Sequence, residues 1–452
     1  MFYLKTKHLV ECLNGTAKNF KINNPTIRKI VTNHHEAVSG SVFVALKGKK
    51  FDGHCFVQKA IDSGAEFAVV ERCQKAIPHI VVDSTIQALL NIAALNRRQF
   101  KGPLIAVTGS VGKTTTKELI ALALSSSETV LKTEKNLNNE IGLAQTILNL
   151  NSSHSAAVVE MGMSHTNEIS KMSLAARPTI GVLTSIGKAH MQNFKNINQI
   201  LQAKLELLDG MPQNSVIIYN SDDELLKTCS FNGRKTISCS FNNTNADVFA
   251  SEVEQLPNEI RFLATVKKLN LTVRIKLPLI GLHNVLNALF SIAAASQLNL
   301  NLEHVAEKLE SFKTTGFRQK ILTYDHNIRV FADCYNAGPE SMKMSLIAVS
   351  KMECTGRRIA VLGDMLELGK IAKIEHQKIG LLLNTLNFDE ILCLGELAKT
   401  IVASTTKPAR HFESPEMLTE FLKTRLEPND LFLFKASFAM NLKNIIEKVF
   451  EN

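Results

Sequence analysis

Apolar residues along the chain gather into short runs bounded by glycine-containing polar loops, with stretches of helical spacing between them. Residues 41–46 (SVFVAL) predict a strand, followed by the loop GKKFDGH, a helical stretch over 55–63 and a second strand, EFAVVE. This small α/β unit ends near the KGP at 101–103. From residue 103 the order becomes strand (PLIAVTGS), loop, helix (VGKTTTKELIALAL). Further buried-type strands are predicted at 156–160, 179–185 and 215–219, with a helix over 196–209. Such alternation predicts a mostly parallel sheet covered by helices. Residues 259–278 alternate apolar and polar positions, as an appended antiparallel section would, and helices are expected at 283–297 and 303–311. Beyond 314, the strand candidates NIRVFADCY, RRIAVLGD, FDEILCLG and DLFLFKA again alternate with helical segments.

The expectation is therefore an α/β protein of three domains: a small N-terminal α/β domain (1–100), a central P-loop ATPase-type domain with a mostly parallel sheet (101–313), and a C-terminal Rossmann-like open sheet (314–452). The third unit has no G-x-G-x-x-G, so a dinucleotide is unsupported there. The first residues lack the apolar stretch of a secretory leader, and no apolar run approaches the length of a membrane span. Eight cysteines without a C-x-x-C pair argue against a disulfide framework or a zinc site and suit a reduced, cytoplasmic setting. The net charge of +10 is spread thinly rather than in a basic run, which favours anionic small substrates such as nucleotides over nucleic acid.

The sharpest local signal is Thr108-Gly109-Ser110-Val111-Gly112-Lys113-Thr114-Thr115-Thr116, between a predicted strand and a predicted helix. Its glycines let successive backbone N–H groups turn toward phosphate oxygens, and the helix N-terminus adds positive potential. Lys113 is placed to reach the β- and γ-phosphates and the Thr114 hydroxyl to meet Mg2+. Position 107 is Val where the usual loop has its first Gly, so this is a shortened variant whose weight comes from its strand–loop–helix context.

That loop resembles the one in the Mur ligases, and matching segments follow in order: Lys135–Gly142 (KNLNNEIG), Val159–Gly162, Ile186–His190, Gln202–Glu206, Gly281–Asn284 with Asn287–Leu289, Asp333–Ala337 and Val361–Gly369. The resemblance runs over nearly the whole chain. It implies that the terminal carboxylate of UDP-N-acetylmuramoyl-tripeptide condenses with D-alanyl-D-alanine while ATP becomes ADP and phosphate, in a cytoplasmic monomer contributing to peptidoglycan synthesis. It implies ATP contacts from Gly109 through Thr115, with Asn287 at the adenine, Asp333 at the ribose and Arg318 at the phosphates. Thr32, His34, His35, Asn138, Asn139, Tyr335 and Asn336 are the implied substrate contacts. Lys113, Glu160, His190 and Lys204 form the implied catalytic set.

Read on their own, the residues of that set also have ordinary explanations. Glu160 suits Mg2+ at a strand end, or a surface salt bridge. His190 suits an imidazole ligand, or simple packing. Lys204 lies among aliphatic residues of a predicted helix and reads blandly as a snorkelling lysine. The family likeness implies that carbon dioxide carbamylates it, converting an ammonium into an anionic oxygen ligand for Mg2+. Asn220 and Ser221, before Asp222 and Asp223, read best as part of a helix N-cap.

The family pattern is broken in several places. Thr32-Asn33-His34-His35 stands where Thr-Asp-Ser-Arg is usual, Ala332 replaces an Asp, Gly338 an Asn, and Phe438 the Arg of Lys-Gly-Ser-Arg. These departures fall in substrate-facing regions and leave the ATP and metal set intact. Two alternatives follow: a ligase of another specificity, such as a folylpolyglutamate-type enzyme or a different Mur step, or a catalytically silent nucleotide-binding regulator. Asp333–Ala337 and Val361–Gly369 weigh against the first, and intact Thr114, Glu160, His190 and Lys204 against the second.

Overall fold

The apolar runs become the interiors of three sheets. A computed structural model describes residues 1–19, 26–48, 51–125, 129–314 and 316–451; Lys49 and Lys50 of the loop expected after residue 46 lie outside the described residues. The first sheet has the order Thr16–Lys18, His79–Val81, Ala65–Val70, Ser41–Val44, Lys29–Val31, parallel except at the first pair. The third has the order Lys320–Tyr324, Ile328–Ala332, Leu431–Lys435, Arg358–Gly363, Glu390–Leu394, Ala409–Phe412, parallel except at Lys320–Tyr324.

Between them lies a nine-stranded sheet ordered Leu271–Leu277, Ile260–Val266, Val248–Gln255, Lys235–Ser240, Val216–Asn220, Ile180–Leu183, Leu104–Thr108, Ala156–Glu160, Val130–Lys132. Its centre is parallel, and every residue of Leu104–Thr108 and Ala156–Glu160 is buried, as expected where helices cover both faces. The antiparallel strands Ile260–Val266 and Leu271–Leu277 alternate buried and more accessible positions, because only one face meets the core. The antiparallel section expected at 259–278 is thus appended at the edge of the main sheet. Val248–Gln255 joins it to the parallel strands. That strand escapes sequence reading because its second half, Ser-Glu-Val-Glu-Gln, is largely polar.

The helix expected over 196–209 is α-helical at Ile197–Leu205, capped by the Asn196 side chain, and tightens to a 3-10 turn over Glu206–Gly210. Among the described residues no helix is long and apolar enough to cross a membrane.

Helix Thr85–Gln99 ties the first sheet to the central one. Its Asn96 is fully buried; Nδ2 donates to Ile147 O (2.8 Å) and Leu150 O (3.1 Å), while Oδ1 accepts from Phe2 N (2.9 Å). The adjacent Arg97 donates from Nε to Ala176 O at 2.8 Å. One continuous apolar core therefore runs from Leu4 and Leu89 to Leu143 and Met172, across the boundary expected near residue 100. Asn96→Ala would take the side-chain partner from the Leu150 carbonyl and the Phe2 amide, while Ile147 O keeps its bond from Leu150 N. We expect a loss of about 1–3 kcal/mol, read as a lower urea midpoint at unchanged slope. A midpoint equal to the parent's would remove Asn96 from this role.

Candidate active site

Register brings the chemistry to one end of the central sheet. Glu160 pairs with Val107 and Leu183 with Thr108, so the segments that leave these three strands start level with one another. Ligands of open α/β sheets gather at such carboxyl ends. The loop from Thr108 turns through Gly109 (φ 149°) and Gly112 (φ 86°) into helix Lys113–Leu124. A Cβ at Gly109 would lie 1.9 Å from Thr184 Oγ1, and one at Gly112 would lie 2.6 Å from Asn287 Oδ1, so both sites need glycine. The turn is braced from the next strand: Ser110 N donates to Ser185 O (2.8 Å), Val111 N to Ser185 Oγ (3.1 Å), and Thr184 Oγ1 to Val111 O (2.6 Å).

Lys113 folds over its own loop, Nζ donating to Gly109 O at 2.8 Å and Ser110 O at 3.3 Å. Burial pulls its ammonium below the ordinary lysine range; the Glu160 carboxylate raises it and Arg318 lowers it. Glu160 is buried, with Oε1 accepting from Asn138 Nδ2 (2.8 Å) and its backbone N donating to Thr133 Oγ1 (3.0 Å). Its Oε2 is buried and has no hydrogen-bond partner. Thr133 is held in turn by Lys117, whose buried Nζ donates to Thr133 O at 2.6 Å and pairs with Glu118 at 2.7 Å. Lys117 lies one helical turn beyond Lys113, which is the sequence signal that could have found it.

The loop after Ile180–Leu183 carries His190 in a left-handed conformation (φ 62°). Its Nδ1 is 2.6 Å from Glu367 Oε2 of the third domain, with the N–H not aligned on that oxygen. Burial lowers the imidazole's pKa, Glu367 raises it, and Lys113 and Lys204 lower it. Lys204, in helix Ile197–Leu205, is 2 % exposed and does not line the cleft; it forms no ion pair among the described residues. Burial, and then repulsion from Lys113, holds its ammonium well below the lysine range.

The third domain closes the other side. Asp333 ends strand Ile328–Ala332 and is buried, its Oδ2 2.5 Å from Lys435 Nζ and 2.6 Å from Ser345 Oγ. Arg318 stacks 3.6 Å over the ring of Tyr335, which lies 5.7 Å from Phe438. Asn287 accepts from Thr116 Oγ1 (3.1 Å) and donates to Asn284 Oδ1 (2.9 Å), which places it directly against the phosphate loop. Gln319 bridges the domains, its Nε2 2.6 Å from His283 Nε2 and its Oε1 accepting from Asn284. Glu340 accepts from Lys188 N (3.1 Å), and Lys188 Nζ bonds Glu375 (2.8 Å).

Together these residues line a cleft of 680 Å³ that includes Ser110 to Thr115, Asn138, Asn139, Glu160, His190, Asn287, Arg318, Asp333, Tyr335 and Asn336. Gly109, at the start of the loop, does not line the cleft. Thr32, His34 and His35 do not line the cleft. Thr32 Oγ1 accepts from Gln145 Nε2 (3.1 Å), and the His34 ring stacks on Phe56 at 4.7 Å. The cap in the Asn220–Asp223 stretch is Asp223, which accepts from Leu225 N and Leu226 N. Of the departures from the family pattern, Phe438 lines the cleft 70 % exposed, Gly338 begins helix Pro339–Ser350, and Ala332 is buried in its strand. Sequence reading did not single out Gln319 or Glu340, and named His283 only within the Gly281–Asn284 segment, because their partners come from another domain.

Comparison with known proteins agrees with this arrangement. Three Mur ligase models match in succession: the family's catalytic domain over residues 28–106, the middle domain over 107–295 and the glutamate ligase domain over 318–438. The chain belongs to the Mur ligase family. Within that family, it is 33% identical to the UDP-N-acetylmuramoyl-tripeptide–D-alanyl-D-alanine ligase of Bacillus subtilis, over 99% of this chain and 98% of that one. A crystal structure of MurF from Acinetobacter baumannii is similar with a TM-score of 0.93 at 30% identity, covering 100% of both chains. The MurF ligase of Thermotoga maritima in complex with ADP follows at 0.85 and 29%, covering 93% of this chain and 97% of that one.

Proposed function

We propose that this chain joins D-alanyl-D-alanine to the terminal carboxylate of UDP-N-acetylmuramoyl-tripeptide, with ATP converted to ADP and phosphate. The observation that carries this reading is the meeting of the phosphate loop and Glu160 with Asp333, Arg318 and Tyr335 of another domain in one cleft. Full-length similarity to ligases of that reaction supports the substrates.

A carboxylate is a poor acceptor for an amine because oxide would have to leave. Attack of a carboxylate oxygen on the γ-phosphorus expels ADP and yields an acyl phosphate. The amine then adds to its carbonyl, and the tetrahedral species collapses with loss of phosphate. Bringing carboxylate and γ-phosphate to about 4 Å costs ~4 kcal/mol at an effective dielectric near 20. In our reading Lys113 and the N–H groups of Gly109 to Thr115 offset that cost, Asp333 holds the ribose, Asn287 supports the adenine side and Arg318 faces the phosphates. Asn138, Asn139, Tyr335 and Asn336 border the acceptor side. Thr32, His34 and His35 serve the uridine nucleotide outside the cleft.

The donor set fits Mg2+. Glu160 Oε2 is buried and orphaned, Thr114 and His190 line the same cleft as candidate ligands, and Lys204, whose charge is felt at His190, is the fourth candidate. Among the described residues no three His, Cys, Asp or Glu side chains form a ready-made cation site, so the set gains from the carbamate we assign to Lys204. Bound Mg2+ would neutralise phosphate charge. We place domain boundaries at 100/101 and 313/314, following sheet membership, and read the enzyme as a cytoplasmic monomer.

Phosphate release from ATP should require the UDP-muramoyl tripeptide, and amide formation should further require D-alanyl-D-alanine, with the pentapeptide product identified by mass. Turnover with glutamate and a folate as sole substrates would overturn this specificity in favour of the folate-type ligase.

A further inference from the structure

His190 is supplied by the central domain, yet its nearest charged partner is not. Glu367, in the loop after strand Arg358–Gly363 of the third domain, places Oε2 2.6 Å from His190 Nδ1. A nitrogen and a carboxylate oxygen tolerate that separation only when a proton is shared between them, so a small rotation of either group aligns the bond. Both residues hold left-handed backbones, φ 62° at His190 and φ 65° at Glu367, a conformation that Glu seldom adopts. Such conformations persist only where the surroundings over-determine them. The surroundings here do so across the domain boundary: Gln192 N donates to Glu367 O at 3.0 Å, and a Cβ on Gly369 (φ 56°) would lie 2.9 Å from Gln192 Cα. Four residues are thereby fitted backbone to backbone around one imidazole.

We propose that Glu367 is a positioning residue. By accepting a hydrogen bond from Nδ1–H it fixes the tautomer in which Nε2 keeps its lone pair, and so prepares His190 to bind the divalent cation. A carboxylate on the far nitrogen is the usual means of orienting a metal-binding histidine, and its loss typically costs 10–100-fold in metal affinity. The unusual feature is that the carboxylate comes from a different domain than the imidazole. The cation site is then complete only with the third domain docked as seen here. This inference rests on the reading of His190 as a ligand given under Proposed function.

Mn2+ binding to the enzyme with ADP, followed by electron paramagnetic resonance, tests the idea without turnover. Electron spin-echo modulation from an imidazole nitrogen reports whether His190 is bound to the metal. Glu367→Ala should raise the Mn2+ dissociation constant roughly 10–100-fold and remove the nitrogen modulation. Glu367→Gln, which still accepts from Nδ1, should stay within about threefold and keep it. Both substitutes meet the same backbone demand as Glu, and the side chain is 47% exposed, so folding is not at issue. Wild-type affinity and modulation in Glu367→Ala would overturn the positioning role. Wild-type spectra lacking nitrogen modulation, unchanged in His190→Asn, would instead sink the ligand assignment beneath it, and the inference with it.

Discussion

Lys113→Ala should lower kcat by at least about a hundredfold while leaving the fold intact. The ammonium sits at the start of helix Lys113–Leu124 and donates to two carbonyls of its own loop, Gly109 O and Ser110 O. Both bonds are local and involve a group whose charged form is already disfavoured by burial. Their loss therefore removes little folding stability, and the unfolding midpoint should move only slightly. Catalysis is another matter. The two anions that must meet, carboxylate and γ-phosphate, repel by several kcal/mol at contact, and a cation on the loop is the protein's own counter to that repulsion. Measurement of kcat at saturating ATP and donor, beside the unfolding midpoint, checks both halves. Turnover within about tenfold of the parent would remove this loop from the mechanism.

A comparable loss is expected at Lys204, for a different reason. The side chain is 2 % exposed, has aliphatic helix neighbours, and feels the positive charge of Lys113. Both influences favour the neutral amine, the form that adds to carbon dioxide with release of a proton. An ammonium next to divalent cations would be repelled, whereas the carbamate reverses the sign and offers oxygens that suit Mg2+. Lys204→Ala should therefore lose ligase activity, and acetate should partly restore it by filling the vacated space with a carboxylate. Lys204→Arg should stay inactive, since a guanidinium keeps its charge and forms no carbamate under these conditions. Kinetics of the alanine variant with and without acetate, beside the mass of the intact protein under bicarbonate, would decide. Full activity of the arginine variant would leave Lys204 an ordinary buried helix lysine.

The helix and strand assignments near the chemistry were legible because they depend on local patterns. Runs such as LIAV and AAVV are apolar at every position, as a strand covered on both faces requires. Gly109 and Gly112 announce a loop that must adopt positive φ, and the helix that follows is written in Lys113–Leu124. Lys204 was singled out by family likeness, since its aliphatic neighbours alone also fit a snorkelling lysine. Polar or half-exposed strands were less readable. Val248–Gln255 and Ala409–Phe412 form because a neighbouring strand offers hydrogen bonds, and their own side chains carry little of that information.

The sequence by itself thus determined the α/β class and the phosphate loop, and family likeness supplied the order of the candidate site residues. Tertiary structure alone decided which of them meet. Glu160 stands beside the loop because its strand pairs in register with Leu104–Thr108, a contact between residues more than fifty positions apart. Asp333 is held by Lys435 across 102 positions, and His190 meets Glu367 only where the third domain rests on the central one. Thr32, His34 and His35, close to the first-domain strands, fall outside the 680 Å³ cleft although family likeness implies substrate contacts there. Periodicity and turn chemistry act over a few residues, so they specify elements. Register between strands and docking between domains depend on surfaces that exist only after those elements have formed, and it is these that place a buried carboxylate, an imidazole and an amine around one end of a sheet.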